Sequence, residues 1–162
     1  MQKTLLIGYG NIDREDDGVA WHILTQLAKC LNIPFPEEPA EVFELIQGNP
    51  SLFFSLQLTP EFAEEISRFD RVCFIDAHTG NFPNDLNFQL LIPEYQNSPF
   101  THHLTPQSCL ALCSALYGKS PAGVLVSVRG YEFNFSQNLS TETESLAKQA
   151  VSRILSWLKN NE

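Results

Sequence analysis

The chain has 162 residues, 43% of them apolar and 11% aromatic, enough for one domain (1–162) with one core. Nineteen acidic against ten basic side chains leave a net charge of −9, and no Lys/Arg run interrupts it, which argues against nucleic acid and anionic membranes as partners. No stretch nears the ~18 apolar residues of a membrane span, Met1–Gly8 is too short in apolar residues for a signal peptide, and Cys30, Cys73, Cys109 and Cys113 form no CxxC pair, so reduced thiols in a cytoplasmic protein are expected.

Strand and helix signals alternate, the mark of an α/β layer structure with a mostly parallel sheet. Residues 3–9 (KTLLIGY) read as a buried strand ended by glycines. A helix is predicted from Asp17 to Leu31, with Val19, Ile23, Leu27 and Leu31 on one face and Asp16 and Asp17 at the end where helices favour acids. Residues 32–40 hold three prolines and form a loop; 41–47 (EVFELIQ) and 52–57 (LFFSLQ) read as strands. Thr59-Pro60 opens a short helix to about Phe69.

The clearest buried strand is 71–77 (RVCFIDA), an apolar run that stops abruptly at Asp76. Residues 86–92 alternate like an edge strand, and Thr105-Pro106 caps a helix that ends before Gly118. Residues 123–128 read as a strand and 131–135 as a short edge piece, while Thr141 and Glu144 have capping-box spacing before a last helix striped by Ala147, Val151, Ile154, Leu155 and Leu158.

Ligands of open α/β sheets bind beyond the C-terminal ends of the strands. Three polar clusters fall there: Asp16 and Asp17, Asp76 and His78, and His102 and His103. Each residue also has a plainer use. Asp76 fits a turn cap, the paired histidines fit a solvated loop, and His22 fits a helix surface. Cys109 and Cys113, four apart on a helix, fit core packing better than a metal pair. Taken together, two carboxylates and an imidazole suit a borderline divalent metal such as nickel or zinc, with positions left open for substrate or water. Such a metal polarises a carbonyl or acidifies bound water, enough for amide hydrolysis. A phosphate cradle at Gly8-Tyr9-Gly10 is disfavoured, because the third glycine of GxGxxG is missing and Asp13, Glu15, Asp16 and Asp17 repel phosphate. No GxSxG nucleophile elbow occurs.

Five segments resemble the hydrogenase maturation proteases, endopeptidases that trim the C-terminus of the nickel–iron hydrogenase large subunit: GYGNIDREDDGVA (8–20), QLTPEFAEEI (57–66), VCFIDAHTG (72–80), THHLTPQSCLAL (101–112) and VRGYEFNFSQNLS (128–140). The resemblance implies a three-layer fold, a twisted, mostly parallel five-stranded sheet with helices on both faces. It implies Asp17, Asp76 and His102 as catalytic and metal-contacting residues. His103 adjoins His102, and the Thr-His-x-Leu-Thr pattern favours His102. Ala20 and Ser136 stand where the family usually has glycine. The implied partner is the large-subunit precursor, the implied metal is nickel supplied by that substrate with no organic cofactor, and the free protein is expected to be a monomer. A related metal-dependent peptidase acting on another protein, or a non-catalytic module holding a metal-loaded partner, are the alternative readings.

Overall fold

The computed structural model describes residues 2–39, 44–96 and 104–160. Continuous apolar runs form its inner strands. β1 (Thr4–Tyr9), β2 (Ser51–Ser55), β3 (Arg71–His78) and β5 (Ala122–Arg129) run parallel, and β4 (Leu86–Leu90) pairs antiparallel with β5, giving a five-stranded sheet of order β2-β1-β3-β5-β4. Both faces of the inner strands are covered, which is why these strands read as unbroken apolar runs. Leu6, Cys73, Ile75 and Val126 pack under α1 (Val19–Leu31) and α4 (Thr141–Lys159). Leu5, Ile7, Val72 and Phe74 pack under α2 (Phe62–Ile66) and α3 (Pro106–Tyr117). The expected layer architecture is therefore present.

Several local expectations need correction. The first helix starts at Val19, because Glu15–Gly18 form a tight 3₁₀ turn whose carboxylates bond elsewhere in the fold. Of the strand expected at 41–47, residues 41–43 lie outside the described residues; Ile46 makes a single antiparallel bridge to Leu52. The second helix is only Phe62–Ile66, shorter than the reading from Thr59 to Phe69. Residues 131–135 form no strand, since their backbone is engaged by acidic side chains from the Glu15–Gly18 turn. The last helix is capped one residue earlier than expected: the Ser140 hydroxyl accepts from the Thr143 N–H at 3.3 Å. The Thr105 cap is as expected, its hydroxyl accepting from the Ser108 N–H at 3.1 Å.

Strand order reverses between β1, whose next strand lies to one side, and β3 on the other side. Such a switch point opens a crevice at the C-terminal ends of the two strands. Tyr9 ends β1 and Asp76 lies near the end of β3, so the fold delivers both to that crevice.

Candidate active site at the β1–β3 switch point

After Tyr9 the chain turns at Gly10, whose φ of +146° is disfavoured for residues with a Cβ. A Cβ there would stand 2.1 Å from the Asp17 carbonyl oxygen, so only glycine lets the turn fold back on the acidic segment. The Gly10 N–H donates to the Ser55 carbonyl at 3.1 Å, tying the turn to the end of β2. The Asn11 N–H donates to Asp17 Oδ2 at 2.9 Å, which fixes that carboxylate beside the end of β1.

Asp16, its neighbour, is directed elsewhere. It is fully buried, and its carboxylate accepts four hydrogen bonds: from the N–H groups of Tyr131 (2.8 Å), Glu132 (2.9 Å) and Ser140 (2.8 Å), and from the Ser140 hydroxyl (2.7 Å). Burial works against the charge, but the donors from Ser140, Tyr131 and Glu132 outweigh it and hold the Asp16 carboxyl below the ordinary carboxylate range. Backbone bonds from Glu15 N–H to the Ser136 carbonyl (2.7 Å) and from Ser136 N–H to the Asp13 carbonyl (2.9 Å) complete the clasp. Gly130 belongs to it, because a Cβ there would lie 2.9 Å from the Asp16 Cβ. The segment 130–140 is thus a buttress for the acidic turn.

Asp17 and Asp76 line one pocket of about 400 Å³. Its walls come from the β1 turn (Tyr9, Gly10, Asn11), the chain after β2 (Leu56, Gln57, Leu58), the end of β3 (Asp76, Ala77) and the start of α3 (Leu104, Thr105, Pro106). No lysine or arginine is among those lining residues, so the two carboxylates face one another's field without a cation. Asp76 accepts from the Ser127 hydroxyl at 2.7 Å on Oδ1 and from the Tyr9 hydroxyl at 3.0 Å on Oδ2. Burial pushes the Asp76 carboxyl up to about 6; the two hydroxyls oppose that shift and the Asp17 charge adds to it. Burial, and then the Asp76 charge, raise the Tyr9 phenol well above its usual range. The pocket thus offers two carboxylates as oxygen donors, the ligand type that hard and borderline divalent cations take.

His102 and His103 lie outside the described residues. Among the described residues no group of three His, Cys, Asp or Glu side chains is arranged to hold a metal. His78 is committed elsewhere. Its Nδ1 accepts from the Gly80 N–H at 3.0 Å, which leaves Nε2 as the donor to the Asp85 carbonyl, also at 3.0 Å. His22 sits on α1, its Nε2 3.1 Å from the Gln137 carbonyl. Cys109 and Cys113 are both fully buried, and the Cys113 thiol donates to the Ala63 carbonyl at 3.3 Å, which is core packing. A larger cavity of about 590 Å³ lies between α1 and α4, but Glu144 there is accompanied by Lys148, so it lacks the uncompensated carboxylate pair.

Tyr9 and Ser127 were not foreseen as partners of Asp76. The signal is strand register: Asp76 lies opposite Ser127 in the β3–β5 pairing, and Tyr9 lies one step past the Gly8–Ile75 pair. Register is a property of the assembled sheet, so no local pattern reveals it.

No protein-family sequence model matches the chain, and neither does any curated protein sequence. Solved structures do match over nearly the whole length. The [NiFe] hydrogenase maturation protease HycI from Thermococcus kodakarensis aligns with 98% of this chain and 94% of its own at 17% identity and a TM-score of 0.66. The hydrogenase maturating endopeptidase HybD from E. coli aligns with 97% of this chain and 92% of its own at 20% identity and a TM-score of 0.63. An uncharacterized protein from Wolinella succinogenes aligns with 97% of this chain and 96% of its own at 21% identity and a TM-score of 0.58. The chain has the fold of the hydrogenase maturation proteases.

Proposed function

We propose that this protein is an endopeptidase that removes the C-terminal extension of a nickel–iron hydrogenase large-subunit precursor, reading the nickel already carried by that substrate. The observation that carries the proposal is the pairing of Asp17 and Asp76 in a pocket without a lining cation, at the switch point of a fold shared with maturation proteases. Two anionic oxygen donors attract a divalent metal. His102 is the third ligand in this reading. It stands two residues before Leu104, which lines the same pocket.

In this account Asp17 and Asp76 seat the substrate's nickel and so place the adjoining peptide bond in the pocket. The substrate's metal supplies Lewis acidity toward the scissile carbonyl or its attacking water. Leu58 and Leu104, both buried, line the same pocket and give it an apolar wall. The reaction suits a cytoplasmic setting, in which the thiols stay reduced.

Incubation of the purified protein with nickel-loaded and nickel-free precursor tests the proposal. Intact mass is expected to show shortening of the loaded form alone, and its loss in Asp76→Asn. Wild-type processing by Asp76→Asn would overturn the reading. Binding without shortening would instead establish a non-catalytic holder of the metal-loaded partner.

A further inference from the structure

We propose that Tyr9 and Ser127 are positioning residues that hold the Asp76 carboxylate in a single orientation toward the substrate. The inference rests on the reading of Asp76 given above and goes further in assigning its two neighbours a role.

The two donors are disposed one to each oxygen: Ser127 Oγ to Oδ1 at 2.7 Å, and Tyr9 Oη to Oδ2 at 3.0 Å. They reach Asp76 from opposite neighbouring strands, β5 and β1. A carboxylate clasped on both oxygens resists rotation about its Cβ–Cγ bond. Each oxygen nonetheless has further acceptor capacity, since a carboxylate offers about four lone-pair sites and the clasp uses two.

The chemical type of the donors matters. An arginine or lysine in either place would orient Asp76 equally well but would also neutralise it, and a metal would then have to displace a cation. Neutral hydroxyls orient the carboxylate and leave its full negative charge to the incoming metal. The anchoring is rigid as well. Ser127 is fully buried within β5, and the Tyr9 ring packs against the apolar cluster beneath α2 and α3. Partners that orient a metal-binding group commonly affect metal affinity or activity by about 10–100-fold when removed.

The test uses Tyr9→Phe, Ser127→Ala and the double variant, with Asp76→Asn as reference and Ser127→Thr as the variant that keeps a hydroxyl. Kinetics on nickel-loaded precursor are expected to show kcat lowered about 10–100-fold in each deletion, KM little changed, and activity largely restored in Ser127→Thr. A crystal structure of the double variant is expected to show the Asp76 carboxylate rotated or split between rotamers on an unchanged backbone. Folded Tyr9→Phe and Ser127→Ala variants with wild-type kcat, or an unmoved Asp76 in the double variant, would overturn the positioning role. If Asp76→Asn is inactive while both deletions process normally, the inference alone fails. If Asp76→Asn itself processes normally, the underlying reading of the site fails too.

Discussion

The α-carbon of Gly10 lies so close to the backbone carbonyl of Asp17 that a methyl group there would stand 2.1 Å from the oxygen. The contact joins the end of β1 to the acidic turn six residues after it closes. Gly10→Ala is therefore expected to do two things. Strain at φ +146° and the overlap together should cost about 2–4 kcal/mol of stability. The fraction that folds should process poorly, because relief of the clash moves Asp17. Denaturant melts and processing assays on the same preparation check both.

Asp16 and Asp17 are adjacent, acidic and opposite in use. Asp16→Ala removes the acceptor of four part-buried hydrogen bonds and takes from the N–H groups of Tyr131, Glu132 and Ser140 the carboxylate they donate to. The expected loss is about 3–5 kcal/mol. Asp17→Asn keeps an oxygen for the Asn11 N–H and is expected to cost less than about 1 kcal/mol while abolishing processing. Because the Asp16 carboxyl is held below its unfolded value, its contribution is present above the unfolded pKa and is lost as pH falls through the folded one. Acid unfolding of Asp16→Asn should accordingly lack that component.

Asp76 shifts the other way. Its folded value of about 6 lies above the unfolded 3.8, so the protonated form is favoured by folding. The stability this confers is fully present below the unfolded value and is lost as pH rises through about 6. At pH 7.5 the ionised, desolvated carboxylate is therefore a burden on the metal-free protein. Asp76→Asn is expected to be more stable there by about 1–3 kcal/mol, an advantage that disappears near pH 4. Thermal melts across that range would show the two curves converging. A mutation that stabilises the fold while abolishing processing is the pattern of a residue kept for function.

The histidines separate cleanly by experiment. His78→Ala removes a ring whose two nitrogens serve Gly80 and Asp85 and whose edge meets Phe82 with centroids 5.0 Å apart. It is expected to cost about 1–3 kcal/mol and leave processing in the folded protein intact. His102→Ala is expected to leave the melting temperature nearly unchanged and abolish processing. His103→Ala serves as the control for the adjacent position, and retained activity there assigns the ligand to His102.

The segments that resembled maturation proteases divide into two kinds once folded. Gly10, Asp17, Asp76 and Thr105 line the pocket. By contrast, Asp16 and residues 130–140 build the clasp that supports it. The same segments thus supply both the lining of the pocket and the loop packed against its acidic turn.

What the sequence determined by itself was the set of inner strands and their helices. Apolar runs such as VCFI at 72–75 and the fourfold spacing of α1 encode burial locally, through the period of each element. The Thr105 cap is local as well, since it depends only on a side-chain hydroxyl and the N–H three residues on. Tertiary structure decided the rest. It directed Asp16 into the 130–140 clasp and Asp17 into the pocket, two fates that side-by-side carboxylates cannot reveal. It replaced the short strand at 131–135 with a loop whose N–H groups serve Asp16 and Glu15. And it set Tyr9 and Ser127 on either side of Asp76, residues separated by 67 and 51 positions. Those relationships come from strand register and long-range hydrogen bonding, which exist only once the sheet has assembled.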